Sequence, residues 1–205
     1  EMLGAAAELT EVALRAQGWT FASAPIPDPG DSDLLFRIRL ISRSEPVAEA
    51  TTQLAAAAVR RSERRPYGAE PVADDVIERL RSAAGAPGVS AHFPVQADEG
   101  IELAVAIARA DHSERKDPAY LAEMAKWVRG AESAPDGIPV SSIPRLSDDQ
   151  QRHTDIPLRD FEVGVSGSQL ITAGIDERPL IAVILTEQDD EIERLRAGQA
   201  MMRLK

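Results

Sequence analysis

The chain has 205 residues, of which 43% are hydrophobic, and its formal net charge is -11 at pH 7. Such a length can bury the core of one large domain or two small ones. The acidic balance disfavours a nucleic-acid partner, because phosphate backbones are bound by broad positive surfaces. Cysteine is absent, which excludes disulfides, thiolate metal sites and a cysteine nucleophile, and is compatible with a reducing cytoplasm.

The longest apolar runs are short, such as those over residues 54–59 and 179–185. Both are far shorter than the roughly 20 residues of a membrane helix, so we predict no transmembrane span. No signal-peptide pattern opens the sequence. Because it begins and ends within helical patterns, we expect it to be a piece of a longer protein.

The first half of the sequence alternates between helical and strand patterns. Proline, glycine and aspartate make residues 22–33 a predicted loop, and the strand after it has one wet face because Arg37 and Arg39 alternate with apolar residues. In chain order we predict a helix over 9–16 ended by Gly18, the loop over 22–33, a strand over 34–41, a helix over 48–61, a turn over 66–68, a helix over 76–84 and a strand over 89–95.

The second half contains a long segment without sustained periodicity, residues 130–160. Loops longer than about 12 to 15 residues usually either cover a functional site or are disordered linkers. We further predict a helix over 101–110 buried on more than one side, an amphipathic helix after Pro118 with Trp127 as a core anchor, a strand over 179–185 covered on both faces, and a last helix from Asp189 or Asp190.

Four arginines follow the alanine-rich helix, at positions 60, 61, 64 and 65, with Ser62 between them. Arginine presents a planar fork of donors that matches phosphate oxygens, and a serine hydroxyl adds another donor. The cluster therefore indicates a phosphate site. The alternative is a solvated helix end, where cations offset the negative pole of the helix dipole.

Other site chemistries have weaker sequence support. The three histidines, His92, His112 and His153, lack the spacing of metal ligands, so we predict no metal site. The segment 166–168 lacks the glycine pattern of a nucleophile elbow and is interpreted as a turn. The paired aspartates at 148–149 and 189–190 are adjacent in sequence, and we expect them to be solvated.

Several short motifs occur in a characteristic order between Gly4 and Lys205. They are Arg60-Arg61-Ser62-Glu63-Arg64-Arg65-Pro66-Tyr67, Asp117-Pro118-Ala119-Tyr120 with Glu123 and Trp127, Asp136-Gly137-Ile138-Pro139, Arg159-Asp160-Phe161 and Leu195-Arg196-Ala197-Gly198-Gln199-Ala200. Together they resemble the actinobacterial Acg family, nitroreductase-like flavoproteins built from two related halves. In nitroreductase-fold units an Arg-Arg-Ser type motif contacts the flavin phosphate.

The resemblance implies an α+β, nitroreductase-like fold with helices packed around a mixed, largely antiparallel sheet. Residues 1–45 would be the tail of a first half, and residues 46–205 a second half with a lid-like loop at about 130–165. The small-residue runs 4–7 and 198–201 are a weak internal echo of this duplication.

The resemblance also implies bound flavin mononucleotide (FMN) with its phosphate on Arg60, Arg61, Ser62 and Arg64. Gly198 and Gln199 would lie close to the cofactor, although a small residue at a helix start is more often a packing contact. The amide-rich motif that contacts the flavin ring has no counterpart, since the nearest segment, residues 86–94, lacks amide side chains.

The implied activity is an oxidoreductase whose flavin is reduced by NAD(P)H and passes electrons to a nitro or quinone acceptor. We expect a cytoplasmic homodimer with no nucleic-acid or membrane partner. One alternative is a noncatalytic protein that stores flavin beneath a closed lid. Another is a degenerate half that serves only as a dimerisation scaffold.

Overall fold

The computed structural model describes residues 2–26, 30–31, 33–63, 67–129, 136–139, 153–154, 176–177 and 179–205. The described elements are α+β. The chain forms two compact units, the first made of residues 1–61, 73–93 and 182–205, and the second of residues 62–72 and 94–181. The predicted division into halves at residues 45 and 46 stays a prediction.

The helices and strands follow one another without strict βαβ alternation. They are α1 (Met2–Ala16), β1 (Trp19–Pro25), β2 (Phe36–Arg43), α2 (Ala48–Val59), α3 (Asp74–Ala84), β3 (Val89–His92), α4 (Ala97–Glu114), α5 (Pro118–Trp127), β4 (Val128–Arg129), β5 (Ile138–Pro139), β6 (His153–Thr154), β7 (Asp176–Glu177), β8 (Val183–Thr186) and α6 (Glu191–Arg203).

Strands β1 and β2 form an antiparallel pair in the first unit, with Trp19 opposite Arg43 and Pro25 opposite Phe36. The register shifts between Thr20 and Phe21. The prediction of a loop from residue 22 was wrong, because β1 continues to Pro25. Its last residues gain backbone partners in β2, a long-range pairing that local composition does not reveal.

Helix α1 packs against both α2 and α6. The contact with α6 is close at Gly4, which is buried. A Cβ atom on Gly4 would lie 2.9 Å from the carbonyl carbon of Leu195 and 3.0 Å from the backbone nitrogen of Gln199. Glycine therefore allows the two helix backbones to meet at this point.

The core of the first unit lies where α3 and α6 pack against β3 and β8, and where α1 packs on its neighbours. Strands β3 and β8 are antiparallel, with Val89 opposite Thr186. The buried apolar side chains of this unit are Ala7, Val12, Ala50, Ile77, Ala84, Val89, Ala91, Phe93, Leu195 and Ala200. The predicted strand over 179–185 starts only at Val183, and coverage on both faces was wrong because Leu185 is exposed.

In the second unit, helix α5 begins with Pro118 at its first turn and is capped by Asp117, whose side chain accepts the N–H of Ala119 at 2.8 Å. Its buried residue is Met124. The predicted core anchor was wrong, because Trp127, at the last position of the helix, is 47% exposed.

Helix α4 also differs from its prediction, because none of its residues is buried. Strands β4 and β5 form a short parallel pair, as do β6 and β7. Most of the lid-like segment predicted at 130–165 lies outside the described residues. None of the helices in the described ranges is both long enough and apolar enough to cross a membrane.

Candidate anion site at the end of helix α2

Helix α2 carries the first arginine of the cluster to its carboxyl end. Its alanines favour helix, and Arg60 is the C-cap, with φ -58° and ψ 138°, so the chain leaves the helix there. The N–H of Arg60 still donates to the carbonyl of Ala56 at 3.0 Å. The helix thus ends at Val59, two residues before the predicted boundary. The first arginine of the cluster, Arg60, therefore lies at the negative pole of the helix dipole.

A cavity of about 230 Å³ lies between α1, α2 and α6, entirely within the first unit. Three cations line it: Arg60 from the end of α2, and Arg203 and Lys205 from the end of α6. The remaining lining residues are Glu8, Leu9, Val12, Gln53, Ala56, Ala57 and Met202. The cavity therefore combines apolar walls with an excess of positive charge.

Glu8 is the acid of the cavity, and it is buried. The Nε of Arg203 lies 3.1 Å from Glu8 Oε2, and a guanidinium nitrogen of Arg15 lies 3.7 Å from Glu8 Oε1. A buried carboxylate needs such partners, because an unpaired charge away from water is costly. Glu8 and Arg203 therefore largely neutralise each other.

Arg60 and Lys205 form no ion pair with any residue in the described ranges. Both line the cavity, and Arg60 is exposed. Since Arg203 is paired with Glu8, these two side chains carry the positive charge that an incoming anion would meet. The arrangement can hold a phosphate or a carboxylate by charge-assisted hydrogen bonds.

Of the other members of the predicted phosphate set, the two that the structure describes, Arg61 and Ser62, do not line this cavity. A guanidinium nitrogen of Arg61 donates to the carbonyl of Arg60 at 2.9 Å, which turns the side chain back toward its own backbone. Ser62 is exposed and belongs to the second unit. Arg64 lies outside the described residues. The structure thus places Arg60 at the cavity, and the roles of the other three stay predictions.

Gly198 and Gln199 lie in the middle of α6, not at a helix start as predicted, because the helix begins at Glu191. Gly198 is buried, and the backbone of Gln199 lies against Gly4 of α1. Neither residue lines the cavity. Their position matches the packing alternative, and their proximity to a cofactor stays a prediction.

The segment predicted to stand where a flavin-ring motif would be is held by α6 through its backbone. The carbonyl of Gly85 accepts from Arg203 at 3.4 Å, and that of Pro87 accepts from Arg196 at 3.2 Å. Gly88 has φ +74°, and a Cβ there would collide with the carboxylate of Glu193. The buried side chains that follow are apolar: Val89, Ala91 and Phe93.

Sequence reasoning missed Glu8, Arg203 and Lys205 as cavity residues. No local motif links positions so far apart, since only the packing of α1 and α6 beside α2 brings them together. The sequence did contain one signal for these cations. Arg203 and Lys205 stand at the end of α6, a helix whose stripe of small and apolar residues predicted close packing. Within the described part of the chain, no cluster of three or more potential metal ligands exists.

The residues at the cavity fit one end of a phosphate-bearing cofactor. The volume of the cavity, about 230 Å³, is below the roughly 300 to 1,000 Å³ of sites that enclose a whole drug-sized ligand. Apolar walls from Leu9, Val12 and Met202 can exclude water beside the anion, which strengthens the electrostatic attraction to Arg60. The cavity therefore fits the anionic group of a ligand together with the ligand atoms next to that group.

We find no family model that matches this sequence. Two proteins of Mycobacterium tuberculosis, from strains CDC 1551 / Oshkosh and ATCC 25618 / H37Rv, are each 33% identical to it over 194 residues. Both are named "Putative NAD(P)H nitroreductase". The match covers 92% of this chain and 52% of each relative, so the chain spans about half the length of the curated relatives it matches. Nearly the whole sequence is thus similar to part of a protein named as a nitroreductase.

Proposed function

We propose that this chain is part of an FMN-binding, nitroreductase-like oxidoreductase of the Acg type. In this proposal NAD(P)H reduces the flavin, and a nitro or quinone compound accepts the electrons. The names of the two relatives support the reaction class. The nitroreductase-like fold, the two halves meeting at residues 45 and 46, the lid at about 130–165 and a cytoplasmic homodimer belong to the same proposal.

The observation that carries the proposal is the cationic cavity at the end of α2. Arg60 and Lys205 line it without an ion-pair partner in the described residues. Arginine binds phosphate through its planar fork of donors, and lysine binds it as a point charge. We therefore assign the flavin phosphate to these two side chains, and Arg61, Ser62 and Arg64 stay proposed as further phosphate contacts.

The remaining residues have supporting roles. Glu8 holds Arg203 at the cavity wall, which fixes the position of one cation while leaving Arg60 available. The apolar side chains of α1 and α6 exclude water. When bound, the flavin would supply the hydride and electron chemistry, so the protein needs few acid or base groups of its own. Gly198 and Gln199 stay candidates for contacts near the cofactor.

The visible absorbance spectrum tests this function. Purified protein would be mixed with FMN, freed of excess flavin, and then treated with NADPH and separately with NADH without oxygen. We expect retained flavin bands that bleach and then return when a nitroaromatic or quinone is added. Absence of bound flavin, even at high FMN concentration, would contradict the proposal.

The second candidate is a flavin-storing protein, and one observation favours it. The segment 86–94 contains no amide side chain that could polarise a flavin ring, its Pro87 carbonyl accepts from Arg196 of α6, and its buried side chains are apolar. In that case FMN binds but its bands persist after NADPH and NADH are added. The same experiment therefore separates the reductase, the storage protein and a scaffold that binds no flavin.

A further inference from the structure

The sheet formed by β1 and β2 is incomplete by the standards of stable sheets. Strand β2 pairs with β1 along one edge, and no other described strand pairs with either of them. A two-stranded sheet is marginal in water unless it gains another strand or packs on a helix. Helix α1 contacts β1, whereas the second edge of β2 pairs with none of the described strands.

Two neighbouring apolar side chains of β2 are exposed. Leu40 is 48% exposed and Ile41 is 62% exposed. At this point the register shifts, since Thr20 lies opposite Ser42 and Phe21 lies opposite Leu40. Ile41 is therefore an extra residue that interrupts the alternation of faces along the strand. An eight-residue strand with an unpaired edge and exposed apolar side chains is a template for strand addition.

The charge of the hairpin is opposite to that of the whole chain. Neither β1 nor β2 contains an acidic residue, whereas β2 contains three arginines in a protein of net charge -11. Arg43 is engaged, since it donates to the carbonyl of Gln17 at 2.9 Å and lies 3.9 Å from the ring centre of Trp19. Arg37 and Arg39, on one face of the strand, form no ion pair with any residue in the described ranges.

We propose that the outer edge of β2 binds an extended acidic peptide segment of a partner protein. The segment would add a strand through backbone hydrogen bonds and place carboxylates beside Arg37 and Arg39, with apolar residues over Leu40 and Ile41. Like charges disfavour pairing of β2 with β2 of a second copy, so the arginines select against self-association while attracting an acidic strand.

A peptide-binding experiment with exchanged charges tests the proposal. The probe is a fluorescein-labelled peptide of alternating glutamate and valine, as long as the seven residues of β1, followed by fluorescence anisotropy. We expect the double variant Arg37→Glu/Arg39→Glu to lose at least about tenfold in affinity for this peptide. The same variant should gain affinity for a matching lysine–valine peptide. Arg109→Glu on α4 is the control and should leave both affinities unchanged.

Hydrogen exchange then distinguishes strand addition from simple charge attraction. Peptide binding should slow the exchange of alternate β2 amides, because every second backbone N–H of the outer edge would gain a partner. The proposal is overturned if the peptide does not bind, if it binds without protecting these amides, or if a single-stranded oligonucleotide of the same charge binds equally well.

Discussion

Helices α6 and α4 show how differently two apolar-rich segments of one chain can be used. In α6, a helix of 13 residues, four residues are buried: Glu193, Leu195, Gly198 and Ala200. In α4, a helix of 18 residues, none is buried. Yet α4 has the greater density of apolar side chains, and its pattern predicted burial on more than one side.

The difference shows that burial depends on the neighbours a helix obtains. Helix α6 packs against α1, α3, β3 and β8 within the first unit. Glycine at position 4 lets the α1 backbone approach α6, and the buried Glu193 carboxylate of α6 lies against Gly88 and accepts the N–H of Gln188. Periodicity specifies that a segment is helical, whereas packing partners far along the chain decide how much of it leaves water.

The largest expected effect comes from truncating matched apolar side chains in the two helices. Leu195 of α6 is 5% exposed and Ile101 of α4 is 60% exposed. We expect Leu195→Ala to lower the free energy of unfolding by about 2 to 5 kcal/mol, because it leaves a cavity in the core. Ile101→Ala should change it by less than about 0.5 kcal/mol. Urea denaturation measures both, and equal losses would contradict the comparison.

A pair of glycine substitutions sharpens the comparison at the backbone level. Gly4→Ala forces a methyl group against the backbone of Leu195, so we expect a loss of about 1 to 3 kcal/mol in the free energy of unfolding. Gly100→Ala in α4 meets no atom within 4 Å and should add about 0.5 to 1 kcal/mol through helix propensity. Thermal melts of both variants would show opposite shifts, and a tolerated Gly4→Ala would disprove the close helix contact.

The turn held by α6 is the next test. Gly88→Ala introduces a side chain at φ +74° and displaces the Glu193 carboxylate from the N–H of Gln188. We expect a loss of roughly 1 to 2 kcal/mol in the free energy of unfolding. Gly85→Ala is the matched control, because the nearest atom to its Cβ would be at 3.5 Å, an ordinary contact. Similar losses in the two variants would remove the special role of Gly88.

The smallest effect on stability is expected from the exposed ion pair between Asp189, just before α6, and Arg194 in its first turns. Arg194 donates to Asp189 at 2.7 Å, and this hydrogen bond and its charge hold the pKa of the Asp189 carboxyl below its usual value. Because folding lowers this pKa, the pair stabilises the protein above about pH 4 and the contribution is lost as pH falls through the folded pKa.

Both side chains of the pair are exposed, so solvent screens their interaction. We therefore expect Asp189→Asn to leave the melting temperature at pH 7 unchanged within error, and to leave the melting temperature below pH 3 unchanged as well. Asp190→Ala is the contrasting variant, since the Asp190 side chain accepts the N–H of Glu193 at 2.8 Å as the N-cap of α6. Its loss should cost about 1 kcal/mol. A large effect of Asp189→Asn would contradict this account.

Local chemistry predicted the elements with short-range signals. Capping aspartates were expected at the start of α6, and the structure confirms Asp190 in that role. The predicted helix at α2 and strand at β3 also exist, with boundaries shifted by two or three residues. The start of a helix depends on a side chain three residues away, which is why the sequence specifies it well.

Long-range features escaped prediction for a common physical reason. Strand β1 was not predicted, because its pairing partner follows a proline-rich connection, and the exposure of Trp127 depends on the neighbours that the end of α5 obtains. The cavity joins Glu8, Arg60 and Arg203, which come from three helices and share no local spacing. The arginine cluster itself was visible in the sequence, but the cations of α6 that complete the candidate site were not.

The most direct test of the central claim compares FMN with riboflavin, which lacks the phosphate. Flavin fluorescence would be titrated with the unaltered protein, with Arg60→Ala and with Arg109→Ala as a control. We predict that the protein and the control bind FMN at least about tenfold more tightly than riboflavin, and that Arg60→Ala reduces this difference severalfold because one of the two assigned cations is lost. Equal affinities for the two flavins, or a phosphate preference that Arg60→Ala leaves unchanged, would contradict the assignment of the cavity as the phosphate site.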